Sequence, residues 1–164
     1  MGKLKWAPLL AACMMWPAAH ADSPLVTLQG LSLETANRMA VAAAEACAEM
    51  GYTVGVAVVD RGGNLQAFVR DPLAGPHTID VAIQKAYAAN SFQTPTLAMG
   101  DMATLNHAPR VLLIGGGVPV EAGGLHLGGI GVSGAPRRKV TGDVDDECAR
   151  AGIEAVRTDI EFAQ

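Results

Sequence analysis

The sequence predicts an α+β domain in which helices pack against a small antiparallel sheet. Three observations carry this. The elements read from the chain run helix, strand, strand, helix, helix, strand, strand, helix. The strands arrive in adjacent pairs rather than alternating singly with helices, which favours hairpins over a doubly wound parallel sheet. Half of the 164 residues are hydrophobic, with a formal net charge of −4, so a chain of this length can bury one substantial core. That composition excludes a disordered chain. The excess of acids over bases argues against a nucleic-acid partner, whose phosphates are met by Lys and Arg.

Residues 1–21 are expected to lie outside the fold. Lys3 and Lys5 precede an apolar run from Trp6 to Ala18, and Ala19-His20-Ala21 has the small-x-small pattern of a signal-peptidase site. The run is too short for a bilayer span, which takes about 20 apolar residues. The segment therefore reads as a secretory signal cleaved after Ala21, and the protein as periplasmic or secreted. Leu10-Ala11-Ala12-Cys13 offers a rival reading, a lipobox with Cys13 as the lipidated terminus. Loss of residues 1–21 removes two of the 12 bases and both Trp, leaving 143 residues and a net charge of −6. No later segment is apolar enough to span a membrane.

Residues 22–30 read as an extended lead-in to a single domain over 31–164. Ser32 is a good N-cap for a helix to Met50, with Gly51 as its stop. Ala36, Ala40, Ala43, Cys47 and Met50 recur at three- and four-residue spacing and form its apolar face. The Val-rich stretch Thr53–Asp60 predicts a buried strand. Arg61-Gly62-Gly63-Asn64 predicts a turn, and the alternation in Leu65–Arg70 completes a hairpin. A two-proline loop, 71–76, leads to a second helix with Thr78 as N-cap, running through Phe92. Ile79, Ala82, Ile83, Ala86 and Ala89 line its apolar side. Thr94-Pro95 opens a third helix to about Leu105. Val111–Ile114 reads as a short strand, and another extended piece lies between Gly115–Gly117 and Ala122–Gly124. Leu125–Val132 is a further strand whose glycines imply close approach of another backbone. Asp143 opens a last helix to about Phe162, with Asp145, Asp146 and Glu147 at its positive end.

Several motifs fail on context. Gly129–Gly134 spells G-x-G-x-x-G, but Pro136 follows where a dinucleotide site needs a helix to open. Ser133 lacks the second glycine of a nucleophile elbow, since residue 135 is Ala. Asp143-x-Asp145-Asp146 begins like a calcium loop, but Cys148 stands where the turn glycine belongs. No acid, base and nucleophile triplet stands out, so no catalytic residue is assigned.

Beyond the leader the histidines are His77, His107 and His126, with no zinc-type spacing. His77 precedes the second helix, whose positive dipole end disfavours the imidazolium. A neutral ring is what a metal or haem iron takes. His107 follows the third helix, and strand alternation decides which way His126 faces. Arg137-Arg138-Lys139 is the basic cluster, and an arginine there could grip a ligand carboxylate or phosphate. Cys47 and Cys148 leave three readings open. They form a disulfide if their Cα atoms lie within about 7 Å in an oxidising compartment, they are two separate buried thiols, or one is an axial haem ligand.

Taken together, these segments resemble the GlcG/HbpS family, which includes the C-terminal domain of PduO. The resemblance is carried in order by Leu31-Ser32-Leu33-Glu34-Thr35-Ala36, Val56–Leu65, Lys85-Ala86 within Ile79–Ala89, Gly117-Val118-Pro119-Val120, Gly128–Gly134 and Asp145–Ile153. It implies a profilin-like sandwich with helices on both sides of a five-stranded antiparallel sheet. It also implies a homo-oligomer and an exported protein that binds haem for sensing, scavenging or storage. Haem ligation differs between members, so no ligand set transfers by motif. The residues themselves suggest iron on His77 or His107, with propionates near Arg70 or Arg137. One alternative is an accessory protein or enzyme acting on small organic acids of the glycolate or propanediol type, held by Arg70, Lys85 and the glycine-rich turn. Another is an oligomeric interaction module. The chain departs from the family pattern at Asp71-Pro72 and in the extra residues Arg137–Thr141.

Overall fold

Ser32 starts the first helix as expected: its Oγ accepts the Thr35 N–H at 3.1 Å. In the computed structural model, which describes Gly2 and residues 24–135 and 144–163, this helix is α1 (Leu33–Glu49). It ends at Gly51, whose φ of 83° glycine adopts without a Cβ clash. The buried stripe is Ala36, Met39, Ala40, Ala43 and Cys47, with Met50 only partly covered.

The strands are β1 (Gly55–Asp60), β2 (Leu65–Arg70), β3 (Gly117–Ala122) and β4 (Leu125–Ser133). They form one antiparallel sheet in the order β2-β1-β4-β3. Two hairpins thus lie side by side, joined through β1 and β4 with Val58 opposite Ile130. Alternation sends Val56, Val58, Ile130 and Val132 to one face, where α1 and α3 (Val144–Glu154) cover them. Ala57 and Val59 face the other way and meet Ala82 and Ala86 of α2 (Thr78–Phe92). Helices therefore cover both faces. The β4 glycines explain how closely α2 sits. A Cβ on Gly131 would stand 2.1 Å from the Ala82 carbonyl oxygen, and one on Gly129 2.6 Å from that of Ala86.

The structure corrects four expectations. Among the described residues the sheet has four strands rather than five, because Val111–Ile114 is a loop. Its donors are used locally: the Val111 N–H bonds to the Ala108 carbonyl, and the Leu113 N–H to the Asn106 side chain at 2.9 Å. The third helix is two 3₁₀ turns, Thr96–Met99 and Ala103–His107, with Gly100 between them. Thr96 Oγ1 accepts the Gly117 N–H at 2.9 Å and donates to the Ile114 carbonyl at 2.7 Å, so this segment is tied to β3 rather than continued as a helix. The N-cap of α2 is His77. Thr78 lies inside the helix and spends its hydroxyl on the Gly75 carbonyl, 2.7 Å away. The last helix turns at Ala155-Val156 into a separate α4 (Arg157–Phe162), and that turn carries both Val156 and Ile160 into the core. Asp143 and the extra residues Arg137–Thr141 lie outside the described residues, as do the leader cleavage site and Cys13.

Of the three readings of the cysteines, the disulfide is the one formed. Cys47 on α1 and Cys148 on α3 have Cα atoms 5.5 Å apart and bonded sulfurs. The bridge lies within the face of the core that these helices share.

Candidate functional site

The loop from β2 to α2 sets up the site. The Arg70 guanidinium donates to the Ala74 carbonyl, and the Leu73 N–H to Asp71 Oδ1 at 2.7 Å. The loop ends at His77, which caps α2 through its backbone only; its ring makes no capping bond and is exposed. Gly75 leaves room for that ring, since a Cβ there would stand 2.7 Å from His77 Cε1.

His77, Val81 and Lys85 follow at four-residue intervals and therefore share one face of α2. All three line a cleft of about 370 Å³, together with Ile114, Ser133, Gly134 and Ala135. Its mouth carries His77 and the half-exposed Ile114; its floor carries Lys85, which is only 2 % exposed. The Lys85 ammonium donates to the Val132 carbonyl at 2.9 Å and to Asp145 Oδ2 at 2.8 Å. Asp145 Oδ1 accepts the Ala135 N–H at 2.9 Å. One buried ion pair thus ties α2 to β4 and α3. Such a pair repays its desolvation only when its remaining hydrogen-bonding capacity is also met, and these two backbone contacts contribute to that. The Gly115–Gly117 run serves the same pair. A Cβ on Gly116 would stand 2.6 Å from Asp145 Cβ and 3.1 Å from Lys85 Nζ.

The sequence-predicted residues do not all converge. His77 and Lys85 share the cleft, while His107 is exposed at the end of the second 3₁₀ turn and does not line it. Arg70 lines a separate groove of about 290 Å³ between α1 and β2, with Val41, Ala44, Tyr52, Val54 and Val69. Arg137 lies outside the described residues. His126 is half-buried and turned to α2, with Nε2 2.8 Å from Asn90 Oδ1. Burial pushes its imidazole below the ordinary value, and Arg61 adds to this against the opposing charge of Glu121. Its Nδ1 is buried without a hydrogen-bond partner. Among the described residues, no three His, Cys, Asp or Glu side chains are grouped to hold a bare metal ion.

Two cleft residues, Ile114 and Ser133, and the partner of Lys85, Asp145, escaped the sequence reading. Asp145 reads as a helix-dipole residue, Ile114 as part of a strand, and Ser133 as a failed nucleophile. Asp145 lies 60 positions from Lys85, and no local pattern links the two.

Comparison with known proteins bears on this site. A family model described as haem degrading protein HbpS-like matches residues 31–154. A Citrobacter freundii protein, described as an uncharacterized 15.0 kDa protein in the dhaT-dhaS intergenic region, is 31% identical over 113 residues, covering 63% of this chain and 80% of its own. The crystal structure of a double mutant of Streptomyces reticuli HbpS matches with a TM-score of 0.74 and 38% identity, over 93% of this chain and 99% of that one. The crystal structure of a PduOC–haem complex matches with a TM-score of 0.68 and 27% identity, over 77% of this chain and 94% of that one.

Proposed function

The chain belongs to the HbpS-like family, and from that premise we propose that it binds haem at the cleft headed by His77. The observation that carries this is the order of side chains along one face of α2. An exposed imidazole, an apolar Val81 and a buried ammonium succeed one another over about 12 Å of helix, with Ile114 across the cleft. The donor set fits the group. Haem brings its own equatorial nitrogens, so a single exposed imidazole suffices as protein ligand. Val81 and Ile114 supply apolar contact. Beyond the leader the aromatics are only Tyr52, Phe68, Tyr87, Phe92 and Phe162, and none of them lines this cleft. When bound, haem supplies one-electron and oxygen chemistry that side chains lack. The protein's part is to present His77 at the mouth and to hold Lys85 in place beneath it. A cleft this open suits a protein that exchanges its ligand, as in sensing, scavenging or storage.

Export belongs to the same reading. It is supported by the charged and apolar leader of residues 1–21 and by the Cys47–Cys148 bridge, which persists in oxidising compartments. Among the described residues no helix is long and apolar enough to cross a membrane. Self-association also belongs to it, supported by the exposed Leu25, Val26 and Leu28 of the lead-in and Leu65 on the edge strand β2. A second reading, in which small organic acids are the ligand, is favoured by the polar floor of the same cleft.

The test is a titration of the purified chain with ferric haem, followed in the Soret band. The expected result is a shifted band that saturates at one haem per chain. A linear rise without saturation overturns the proposal.

A further inference from the structure

The floor of the His77 cleft holds two donors that the described structure leaves unused. Lys85 carries three N–H bonds and commits two of them, to Val132 and Asp145. Ser133 is 4 % exposed and lines the same cleft, yet within the described residues its hydroxyl makes no hydrogen bond. Strand alternation puts Ser133 on the same side of β4 as Gly129 and Gly131, the side that α2 covers. The neighbouring acceptors are already engaged. The Val132 carbonyl and Asp145 Oδ2 take Lys85, and Asp145 Oδ1 takes the Ala135 N–H. Donor capacity is therefore left over on the floor of the cleft.

We propose that Lys85 and Ser133 form a carboxylate subsite, in which one oxygen of a ligand carboxylate accepts the third Lys85 N–H and the other accepts the Ser133 O–H. Asp145, bonded to Lys85 at 2.8 Å, balances its charge. The ligand is therefore held by directed hydrogen bonds rather than by net positive charge. Binding is modest and depends only weakly on salt. Two sources carry this chemistry. One is a haem propionate, which rests on the haem reading; the other is a free small monocarboxylic acid, which does not.

The experiment uses the full chain with four probes: haem, haem dimethyl ester (whose carboxylates are masked), acetate and its neutral isostere acetamide. Ser133→Ala is the primary variant, because Lys85→Met removes a buried ion pair and endangers folding. If the propionate is the source, Ser133→Ala weakens haem binding about tenfold, the loss of one hydrogen bond to a charged group, and leaves the dimethyl ester unchanged. If a free acid is the source, acetate but not acetamide raises the melting temperature of the wild type, and Ser133→Ala abolishes the rise. The subsite is overturned if Ser133→Ala alters haem and ester equally, or alters neither, and acetate gives no Ser133-dependent shift. A chain that binds no haem but answers acetate through Ser133 retains the subsite and loses the haem reading. A chain that binds haem and its ester alike, unaffected by Ser133→Ala and by acetate, does the reverse.

Discussion

Replacing the Cys47–Cys148 bridge by alanines should lower stability through the unfolded chain more than through the folded one. The two cysteines are 101 positions apart, and closing a loop of about that length removes chain entropy worth about 4.7 kcal/mol. The native pairing of α1 with α3 does not rest on the bridge alone. Gly152 lets the helices approach so closely that a Cβ there would stand 2.6 Å from the Met39 carbonyl oxygen and 2.8 Å from Ala43 Cβ. The double variant Cys47→Ala/Cys148→Ala is therefore expected to keep its fold and to lose about 3–5 kcal/mol. Urea unfolding followed by circular dichroism reads this directly. With a slope of about 2 kcal/mol per molar urea, the midpoint should fall by about 2 M. A fall of less than about 0.5 M, or two free thiols titrated in denatured protein prepared under oxidising conditions, would refute the reasoning.

Other outcomes follow from the same contacts. Lys85→Met leaves Asp145 buried beside a lost charge and should cost about 3–5 kcal/mol in urea unfolding, with part of the loss recovered by adding Asp145→Asn. Gly131→Ala drives a methyl into the Ala82 carbonyl, at 2.1 Å, and should destabilise by about 3 kcal/mol or more; a thermal melt within a degree of wild type would contradict the described seat of α2. His126 has a folded pKa below its ordinary value because of burial, so the unfolded state takes up the proton first. Its contribution is then complete above about pH 6.5 and is lost as pH falls through the folded pKa. Urea midpoints measured from pH 7.5 to pH 5 should decline, and His126→Gln should flatten that decline. Ser32→Ala removes the cap of α1 and should cost about 1 kcal/mol, readable as a shift in melting temperature.

Much of the fold was legible because its signals are local. Ser32 and Gly51 bracket α1, and the four-residue turn after Asp60 closes the first hairpin, with the Asn64 N–H on Asp60 Oδ1 at 2.9 Å. The glycines of β4 announced a close neighbour, and α2 is that neighbour. Val111–Ile114 misled because an apolar run of four is equally a loop packed on a core. Val111 and Leu113 are indeed buried, against Ala88 and Met99. Thr94-Pro95 looked like a helix start, but the Thr96 hydroxyl bonds β3 instead, a contact between residues 21 positions apart. The site was half legible for the same reason. His77 and Lys85 lie on one helix, so spacing alone puts them on one face. Ile114 and Ser133 reach the cleft, and Asp145 reaches Lys85, only through the β1–β4 pairing and the packing of α3.

The assignment of the haem ligand is the claim on which the functional account turns. Soret titrations of wild type, His77→Ala and His107→Ala, run side by side in the oxidised full chain, test it most directly. The account predicts that His77→Ala loses saturable binding or falls at least tenfold in affinity, while His107→Ala binds as wild type does, an energetic gap of about 1.4 kcal/mol or more. Equal affinity in wild type and His77→Ala, or a loss confined to His107→Ala, would contradict it.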